Sequence, residues 1–403
     1  NLNASGPGSL NWACQEKGPR IVVFAVSGVV PGTVTITEPH LTLAGQTAPG
    51  AGITIEGMLQ TPYHENETVT PLHAVIRFLR VRPKPSTGAG GDCIQISAKT
   101  HLVLDHISTS WSTDESVDLC HSRHYTLQWC ALEESATKGH NKGMHNFAMI
   151  TGYGAKDSTI HHNLFAHHMR RAPLSGADPM DYRNNVIYNL NGGVYWHEDD
   201  NPKVRWNIIG NTFLAGPNSK YTGSSIYDTM LGTSPMVTMY AADNSFSWTK
   251  GVQDPWEAAK QSTGVMPRNG ALKAGAAFEC PAVATQPREA AFERVVKLAG
   301  CLPDDAVTKR TREEVRKGGG AWGRHDPAGG LLAGLTPGSA PADADQDGLP
   351  DTWEKQRGLD PRKDDSAKLM KSGYTAIEDY LNELAEKLIR DANAAGAPAA
   401  SGK

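Results

Sequence analysis

Three stretches of the sequence share one pattern, and this pattern decides the fold: STIHHNLFAH (158–167), DYRNNVIYNL (181–190) and VRWNIIGNTF (204–213). Aligned on a step that ends in Asn, they place Asn163, Asn185 and Asn207 at intervals of 22 residues. This period is typical of one coil of a solenoid, in which each coil buries its inward side chains only by stacking on its neighbours. An Asn at a fixed point of each coil accepts the left-handed backbone of a tight bend, and its amide can hydrogen-bond to the Asn of the next coil.

The surrounding sequence extends this pattern. Residues 20–250 consist of short apolar segments, such as RIVVFAVSG (20–28), separated by Gly, Asn, Asp and Pro, with little helical periodicity. Asp105 and Gln128 fall at equivalent points of two successive segments. The sequence therefore predicts an all-β fold, a right-handed parallel β-helix. A β-sandwich or a propeller is the alternative.

The pattern changes beyond about residue 285, where helical spacing and charged, Gly-rich segments predict a tail that folds back over the solenoid. We predict a β-helix domain over residues 1–330 that includes this tail, a Gly/Pro/Ala linker over 331–342, and a small helical module over 343–403.

The predicted module begins with DADQDGLPDTWE (343–354), which has the spacing of an EF-hand calcium loop. A flexible acidic linker is the alternative, but such a linker seldom also places Gly and Glu at their EF-hand positions. The predicted calcium ligands are five side chains and one backbone carbonyl: Asp343, Asp345, Asp347, Asp351, Glu354 and the carbonyl of Leu349.

Composition limits the function classes. A net charge of −4 with 20% charged residues gives no basic field for nucleic acid. There is no apolar run long enough to span a membrane, and a start at Asn1 without Met or a signal-like segment is expected for a mature or trimmed chain. The six cysteines form no CxxC pair, which argues against a zinc ribbon and leaves disulfides or buried thiols open.

A cluster of carboxylates marks the first candidate site. Asp114, Glu115 and Asp118 lie within five residues. Like charges this close repel one another and unpaired carboxylates are costly to bury, so the cluster is either exposed to water or binds a cation. Asp92 lies about one coil earlier and would face the same groove. Together the four carboxylates predict a calcium site, with exposed turn residues as the alternative.

Four segments carry a family resemblance. PRIVVFAVSGVV (19–30), LTLAGQTAPGAGITIEG (41–57), LDHISTSWSTDESVD (104–118) and HHNLFAHHMRRAP (161–173) are similar to successive segments of the pectate lyase family, over about residues 10–325. The resemblance implies a secreted, calcium-dependent, endo-acting pectate lyase that cleaves polygalacturonate by β-elimination to unsaturated oligouronides. It also implies an acidic polysaccharide as partner, and a monomer is expected.

The resemblance also implies a calcium ligand set. Asp92 resembles the family's first ligand and Asp118 its last. For the middle ligand, the four-residue spacing to Asp118 selects Asp114, whereas identity of residue type selects Glu115. Asp114 is the first choice and Glu115 its competitor.

Further roles are implied for basic residues. Lys142 resembles the lysine that holds a substrate carboxylate, and Arg171, two residues before a proline, resembles the catalytic base. A second arginine that some members place after that proline is missing, so Arg170 and Arg183 are candidates for its substrate contacts. His145 is a further candidate for substrate binding.

The residues agree with this chemistry on physical grounds. The C5 proton of a uronate is too weakly acidic to remove unless the adjacent carboxylate is neutralised, which calcium and Lys142 would do. A guanidinium stays protonated far above neutral pH, so His145, His161 and His162 compete with Arg171 as the base. Their alternative role is as polar groups of the solenoid surface.

Two other functions stay open at this point. One is a lyase that acts on another uronic-acid polymer or on esterified pectin, and the other is a non-catalytic β-helix that binds polysaccharide. Tyr195 and Trp196, which follow two glycines, are candidates for stacking on sugars in the groove.

Overall fold

The computed structural model describes residues 1–62, 68–84, 91–196, 203–219, 237–249, 256–257 and 272–395. Its strands form three sheets in which every pairing between strands is parallel. Successive strands of the chain belong to different sheets, and each pairs with the strand one coil away. Three short strands thus make one coil of a parallel β-helix, as the sequence predicts.

The three sheets form the faces of the β-helix. The ten-stranded sheet contains β1 (Arg20–Val23), β4 (Leu41–Ala44), β7 (Thr70–Arg77), β10 (Lys99–Asp105), β13 (Arg123–Gln128), β16 (Lys156–His161), β19 (Met180–Arg183), β22 (Val204–Ile209), β24 (Val237–Ala242) and β26 (Leu272–Lys273). The nine-stranded sheet contains β2 (Gly28–Pro31), β5 (Ile53–Glu56), β8 (Leu79–Val81), β11 (Ser108–Thr109), β14 (Ala131–Leu132), β17 (Leu164–Ala166), β20 (Val186–Tyr188), β23 (Thr212–Leu214) and β25 (Ser245–Phe246). The seven-stranded sheet contains β3 (Val34–Thr35), β6 (Leu59–Gln60), β9 (Ile94–Gln95), β12 (Glu115–Asp118), β15 (Phe147–Thr151), β18 (Leu174–Ser175) and β21 (Tyr195–Trp196).

The interior is built from columns of apolar side chains. Ile76, Leu104, Leu127, Ile160 and Tyr182 are register partners in consecutive strands of the ten-stranded sheet, and all five are buried. Burying a side chain of this size stabilises the fold by about 1.5–3 kcal/mol. Stacking of the coils is therefore the main source of stability.

A ladder of buried asparagines marks the bend between the ten-stranded and nine-stranded sheets. The Nδ2 of Asn163 donates to Oδ1 of Asn185 at 3.0 Å, Asn185 donates to Asn211 at 3.1 Å, and Asn211 donates to Asn244 at 3.0 Å. Each of these side chains also donates to a backbone carbonyl, so the ladder satisfies polar groups that water does not reach.

The alignment is wrong at its third position, because the ladder continues at Asn211 and not at Asn207. Asn207 lies within β22 and donates to the carbonyl of Phe278 at 3.0 Å. The coil after Asn185 is 26 residues long rather than 22, and Gly210, with φ 65°, supplies the left-handed bend residue before the ladder position. The equivalence of Asp105 and Gln128 is confirmed by their register.

Helices accompany the strands in the described part of the chain. They are α1 (Leu10–Gln15), α2 (Arg288–Leu298), α3 (Ala306–Lys317), α4 (Asp351–Arg357) and α5 (Ala376–Ala395), with short 3-10 turns at Gly45–Thr47 and Gly330–Leu332. Val295 and Val296 of α2 pack against Leu164 and Val186 of the nine-stranded sheet. The segment after residue 285 therefore folds back over the β-helix. No described helix is long and apolar enough to cross a membrane.

The C-terminal helix α5 also packs on the β-helix. Ala385 is buried with Phe78 of the coil region, and the Nε2 of Gln46 donates to the carbonyl of Leu381 at 3.4 Å. A Cβ added to Gly50 would lie 2.5 Å from the carbonyl oxygen of Thr336, so the chain that leads to α4 runs directly over this coil. The division at residues 331–342 stays a prediction.

All six cysteines are free thiols, and only Cys280 is not fully buried. Of the two possibilities that the sequence leaves open, the structure favours thiols buried in the large core.

Candidate active site

Several of the polar residues predicted between positions 92 and 171 meet on the seven-stranded sheet. Glu115 pairs in register with Phe147 of the next coil, and Phe147 forms a bridge with Arg170 of the coil after that. One coil earlier, Asp92 accepts a hydrogen bond from the backbone N of Glu115 at 2.9 Å. Residues distant in the sequence thus become neighbours because successive coils stack in register.

Asp92, Asp114 and Glu115 form an acidic triad. Each offers a carboxylate oxygen within 4.8 Å of the others. Asp92 is 7% exposed and Glu115 5% exposed, whereas Asp114 is half-buried. Burial, reinforced by the charges of Glu115, Asp118 and Asp114, raises the pKa of Asp92 well above its usual value. Burial also raises the pKa of Glu115 to about 8, against the opposing effect of Arg171.

The triad has the donor chemistry of a site for a hard divalent cation. Its ligand atoms are all oxygens, and calcium takes carboxylate and carbonyl oxygens in variable geometry. Without a cation, neighbouring carboxylates repel one another and their charged forms are disfavoured, whereas a bound cation stabilises the ionised forms. The residues present therefore fit calcium.

Asp118 lies beside the triad rather than within it. Its Oδ1 accepts from the backbone N of Cys120 at 2.8 Å and from Oγ of Ser97 at 3.3 Å. Its charge contributes to the raised pKa of Asp92. The structure thus brings both Asp114 and Glu115 to Asp92, so the choice between them stays open.

Two consecutive arginines contact an aromatic ring beside the triad, and one of them also contacts the triad itself. The Nη1 of Arg171 is paired with Oε1 of Glu115, and its guanidinium carbon lies 4.0 Å from the ring centroid of Phe147. The guanidinium of Arg170 lies 4.9 Å from the same centroid. Phe147 was not a sequence candidate; its position directly beyond Glu115 in the coil register is the signal that identifies it. The ring holds both arginines by cation–π contact.

Lys142 lies in a short turn that is attached to the triad by histidines. It is exposed, between His140 and His145, whose rings stack with centroids 3.9 Å apart. The Nε2 of His140 lies 3.3 Å from Oδ2 of Asp114. Burial and the charge of His140 lower the pKa of His145, and its Nδ1 is buried without a hydrogen-bond partner. His140 was missed from the sequence, although HNKGMH places a histidine on each side of the lysine.

Arg183 is not brought to the acidic triad. It belongs to β19 of the ten-stranded sheet, where its Nε donates to Asp181 at 2.7 Å and its Nη1 donates to Thr285 at 2.7 Å. The Nη2 also donates to Asp181, so these bonds occupy the guanidinium. Arg183 therefore does not replace the missing second arginine at the triad, and Arg170 is the better placed of the two candidates.

His161 and His162 are likewise placed elsewhere, at the bend where β16 ends. Their Nδ1 atoms lie 2.8 Å apart, and His162 stacks on Trp129 with ring centroids separated by 4.5 Å. Burial lowers the pKa of His161 to about 4 and that of His162 to about 3. Their surroundings are those of core residues. The same holds for Tyr195 and Trp196, which are buried in apolar clusters and do not form a sugar platform.

A second acidic group lies in the C-terminal segment. Carboxylate oxygens of Asp343, Asp345 and Asp347 lie within 4.8 Å of one another. Glu354 is 0% exposed, neither of its carboxylate oxygens has a hydrogen-bond partner, and its pKa is raised to about 7 by burial and by nearby aspartates. A buried, unpartnered carboxylate beside three others fits a cation site. Asp351 instead accepts from the backbone N of Ala344 at 2.9 Å.

Carboxylates accept backbone hydrogen bonds within this loop. Gly348 has φ 94° and donates its N–H to Oδ2 of Asp343 at 3.1 Å. The side chain of Leu349 packs in the apolar cluster with Trp353 and Ile377. The sequence-predicted ligand residues are therefore on one short loop that is anchored by a buried side chain.

Comparisons with known proteins identify the family. No family model matches the chain. A solved pectate lyase bound to a hexasaccharide aligns with a TM-score of 0.47 at 14% identity, covering 67% of this chain and 69% of that one, a likeness too low to support the assignment. The chain is 31% identical over 399 residues to a probable pectate lyase C of Aspergillus fumigatus, covering 95% of this chain and 88% of that protein. It is 28% identical over 391 residues to a probable pectate lyase C of Emericella nidulans, covering 95% and 87%. The chain therefore belongs to the pectate lyase family of polysaccharide lyases.

Proposed function

We propose that the protein is a secreted, calcium-dependent pectate lyase that cleaves de-esterified polygalacturonate within the polymer by β-elimination. The observation that carries this proposal is the contact between the acidic triad and Arg171, with Lys142 on the adjoining turn. A cation site, a free ammonium group and a guanidinium on one face match a polymer that bears one carboxylate per sugar. The names of the curated relatives support the same substrate.

Calcium would be held by Asp92, Asp114 and Glu115, with Asp118 as the nearest further carboxylate. When bound, calcium neutralises charge on a substrate carboxylate as a Lewis acid. The exposed ammonium of Lys142 pairs with the uronate carboxylate as a point charge and orients the sugar. Neutralising this carboxylate makes the neighbouring C5 proton more acidic, because negative charge can then accumulate next to C5.

Arg171 is the proposed base. Acting as the neutral guanidine, it takes the C5 proton, the electrons of the C5–H bond form the C4=C5 double bond, and the C4–O4 bond breaks. The leaving oxygen takes a proton from solvent. Each cleavage yields one unsaturated uronide end and one new reducing end. His145 is the competing base, since its buried Nδ1 has no partner and its lowered pKa keeps the ring neutral near pH 7.

A substrate panel tests the proposal. Purified protein is incubated with polygalacturonate, highly esterified pectin or another uronic-acid polymer, each with calcium or with a chelator, and ultraviolet absorbance of the unsaturated product is recorded. We expect absorbance from polygalacturonate with calcium and none with chelator. Faster reaction on esterified pectin without calcium would refute the proposed substrate. Binding without any cleavage would support a polysaccharide-binding protein instead. A rapid fall in viscosity at low product yield would support endo cleavage.

We also propose that the 343–354 loop binds calcium. The support is the buried Glu354, whose two carboxylate oxygens have no partner beside Asp343, Asp345 and Asp347. Titration calorimetry of wild type and Glu354→Gln tests this. We expect the variant to lose one calcium-binding step while lyase activity at saturating calcium is retained. Equal stoichiometry in both proteins would refute the loop site.

A further inference from the structure

The turn that carries Lys142 is closed at its base by two stacked imidazoles. The ring planes of His140 and His145 are 21° apart, and the backbone N of Gly143 donates to the carbonyl of His140 at 3.2 Å. Gly143 has φ 94°, in the left-handed region that favours glycine. Lys142 and Met144 are exposed at the tip of this turn. The position of the lysine therefore depends on how the two rings are held.

A backbone hydrogen bond fixes the tautomer of His140. The backbone N of Lys142 donates to Nδ1 of His140 at 3.0 Å. A ring nitrogen that accepts an N–H bond carries no proton, so the neutral imidazole has its proton on Nε2. This Nε2 lies 3.3 Å from Oδ2 of Asp114, so the protonated ring nitrogen is the one beside the carboxylate. The His140 side chain is only 6% exposed, so little water competes for either bond.

We infer that His140 is a positioning residue that couples the Asp114 carboxylate of the acidic triad to the turn that presents Lys142. The inference rests on the proposed function, in which Asp114 binds the cation and Lys142 binds the substrate carboxylate. One imidazole then contacts both halves of the site, the carboxylate through Nε2 and the lysine turn through Nδ1. Groups that orient metal ligands in this way typically change metal affinity or activity by about 10–100-fold when they are removed.

A second cation held by Asp114, His140 and His145 is the competing explanation, because these three residues also offer ligand atoms within 4.8 Å of one another. Coordination through Nε2 would require the His140 proton to move to Nδ1, which would break the bond from Lys142 N. With the proton on Nε2, the contact with Asp114 and the bond from Lys142 N are both kept. The observed donors and acceptors therefore favour positioning over coordination.

The test compares two substitutions of His140. The side-chain N–H of His140→Gln reaches about as far as the imidazole Nε2 and can donate to Asp114, whereas His140→Leu fills similar space without a donor. We expect His140→Leu to raise the calcium concentration for half-maximal activity, and KM, by ~10-fold. We expect kcat at saturating calcium and substrate to change less. His140→Gln should recover most of the loss. The exposed His101, which stacks on His73 on the ten-stranded sheet, gives the control variant His101→Leu.

Three results would overturn the inference. These are a wild-type calcium response in His140→Leu, equal losses in the Leu and Gln variants, and stoichiometric zinc binding by wild type that His140→Leu abolishes. A separate measurement does not depend on activity: nuclear magnetic resonance of isotope-labelled histidine should show His140 protonated at Nε2 and unprotonated at Nδ1, and the opposite tautomer would contradict us. If the proposed function itself fails, wild type releases no unsaturated product at any calcium concentration. The tautomer measurement then still tests whether Nδ1 of His140 accepts the bond from the backbone N of Lys142.

Discussion

Arg171 is the residue on which the proposed chemistry depends, and its position between Glu115 and the Phe147 ring makes a substitution informative. Arg171→Lys keeps a positive charge but changes geometry and proton affinity. If Arg171 removes the C5 proton, kcat should fall at least ~100-fold, which corresponds to about 2.7 kcal/mol of barrier. KM should change less, because Lys142 still binds the substrate carboxylate.

Arg183→Lys is the matched control, because Arg183 lies on another sheet and is held there by Asp181. The kcat of this variant should stay near that of wild type. Near-normal turnover of Arg171→Lys, together with an inactive His145→Ala, would assign the base to His145 instead.

The burial of a second residue, His168, predicts that the stability of the fold depends on pH. It is fully buried, with Nε2 3.0 Å from Oγ of Ser116, and burial, with a smaller effect of His167, lowers its pKa to about 3. Below the unfolded value of about 6.5 the unfolded chain binds the proton and the folded chain does not. The contribution of His168 to the free energy of unfolding should therefore be fully present above about pH 6.5. It should decrease at lower pH, by up to ~1.4 kcal/mol per pH unit.

Urea unfolding of wild type and His168→Gln between about pH 7 and pH 4 checks this expectation. The variant should lose this part of the slope, whereas a variant of the exposed His325 should keep it. Identical slopes for wild type and His168→Gln would show that His168 does not titrate as its burial requires.

At the scale of elements, the asparagine ladder ties neighbouring coils together. Asn185→Ala removes the donor to the Ile160 carbonyl and to Asn211, and removes the acceptor for Asn163. Because the partners are buried, we expect the free energy of unfolding to fall by about 2–4 kcal/mol. Asn3→Ala, at an exposed position, should change it by less than ~0.5 kcal/mol. Equal losses of unfolding free energy in the two variants, measured by chemical denaturation, would show that the ladder does not stabilise the fold.

The ladder also shows how far the sequence predicts the fold. Recurrent Asn at one point of each coil was sufficient to predict a β-helix, since the pattern is local to each coil. The error at Asn207 arose because the coil from Asn185 to Asn211 has 26 residues, whereas the coil from Asn163 to Asn185 has 22, so a constant period falls on Asn207. The grouping of Asp92 with Asp114 and Glu115 was predictable from coil spacing, whereas Arg171 was selected by the family resemblance. The site was not predictable where a role depends on stacking between coils, as for Phe147 and His140.

At the scale of the whole molecule, the C-terminal helix α5 is part of the packed structure. Its contacts join residues more than 300 positions apart, such as Gln46 and Leu381, which no local pattern reveals. Removing residues 336–403 would uncover Ala44 and Phe78, which are fully buried. We therefore expect the truncated chain to have a lower midpoint of thermal unfolding than the full chain.

Two point variants check the same claim without truncation. Leu381→Ala should cost about 2–5 kcal/mol, because Leu381 packs in a cluster that includes Ala44 and Leu349. Leu369→Ala, at a side chain that is 72% exposed, should cost less than ~0.5 kcal/mol. An unchanged midpoint for both the truncated chain and Leu381→Ala would mean that the C-terminal segment adds no stability to the β-helix.

The central claim is that the acidic triad and Arg171 serve a calcium-dependent elimination. It is tested most directly by counting two products in one reaction on polygalacturonate: unsaturated uronide ends by ultraviolet absorbance, and new reducing ends by a chemical assay. The account predicts one unsaturated end for every new reducing end when calcium is present, and neither product when calcium is removed by a chelator. New reducing ends without unsaturated ends would identify hydrolysis, and undiminished elimination in the presence of chelator would contradict the role of the triad.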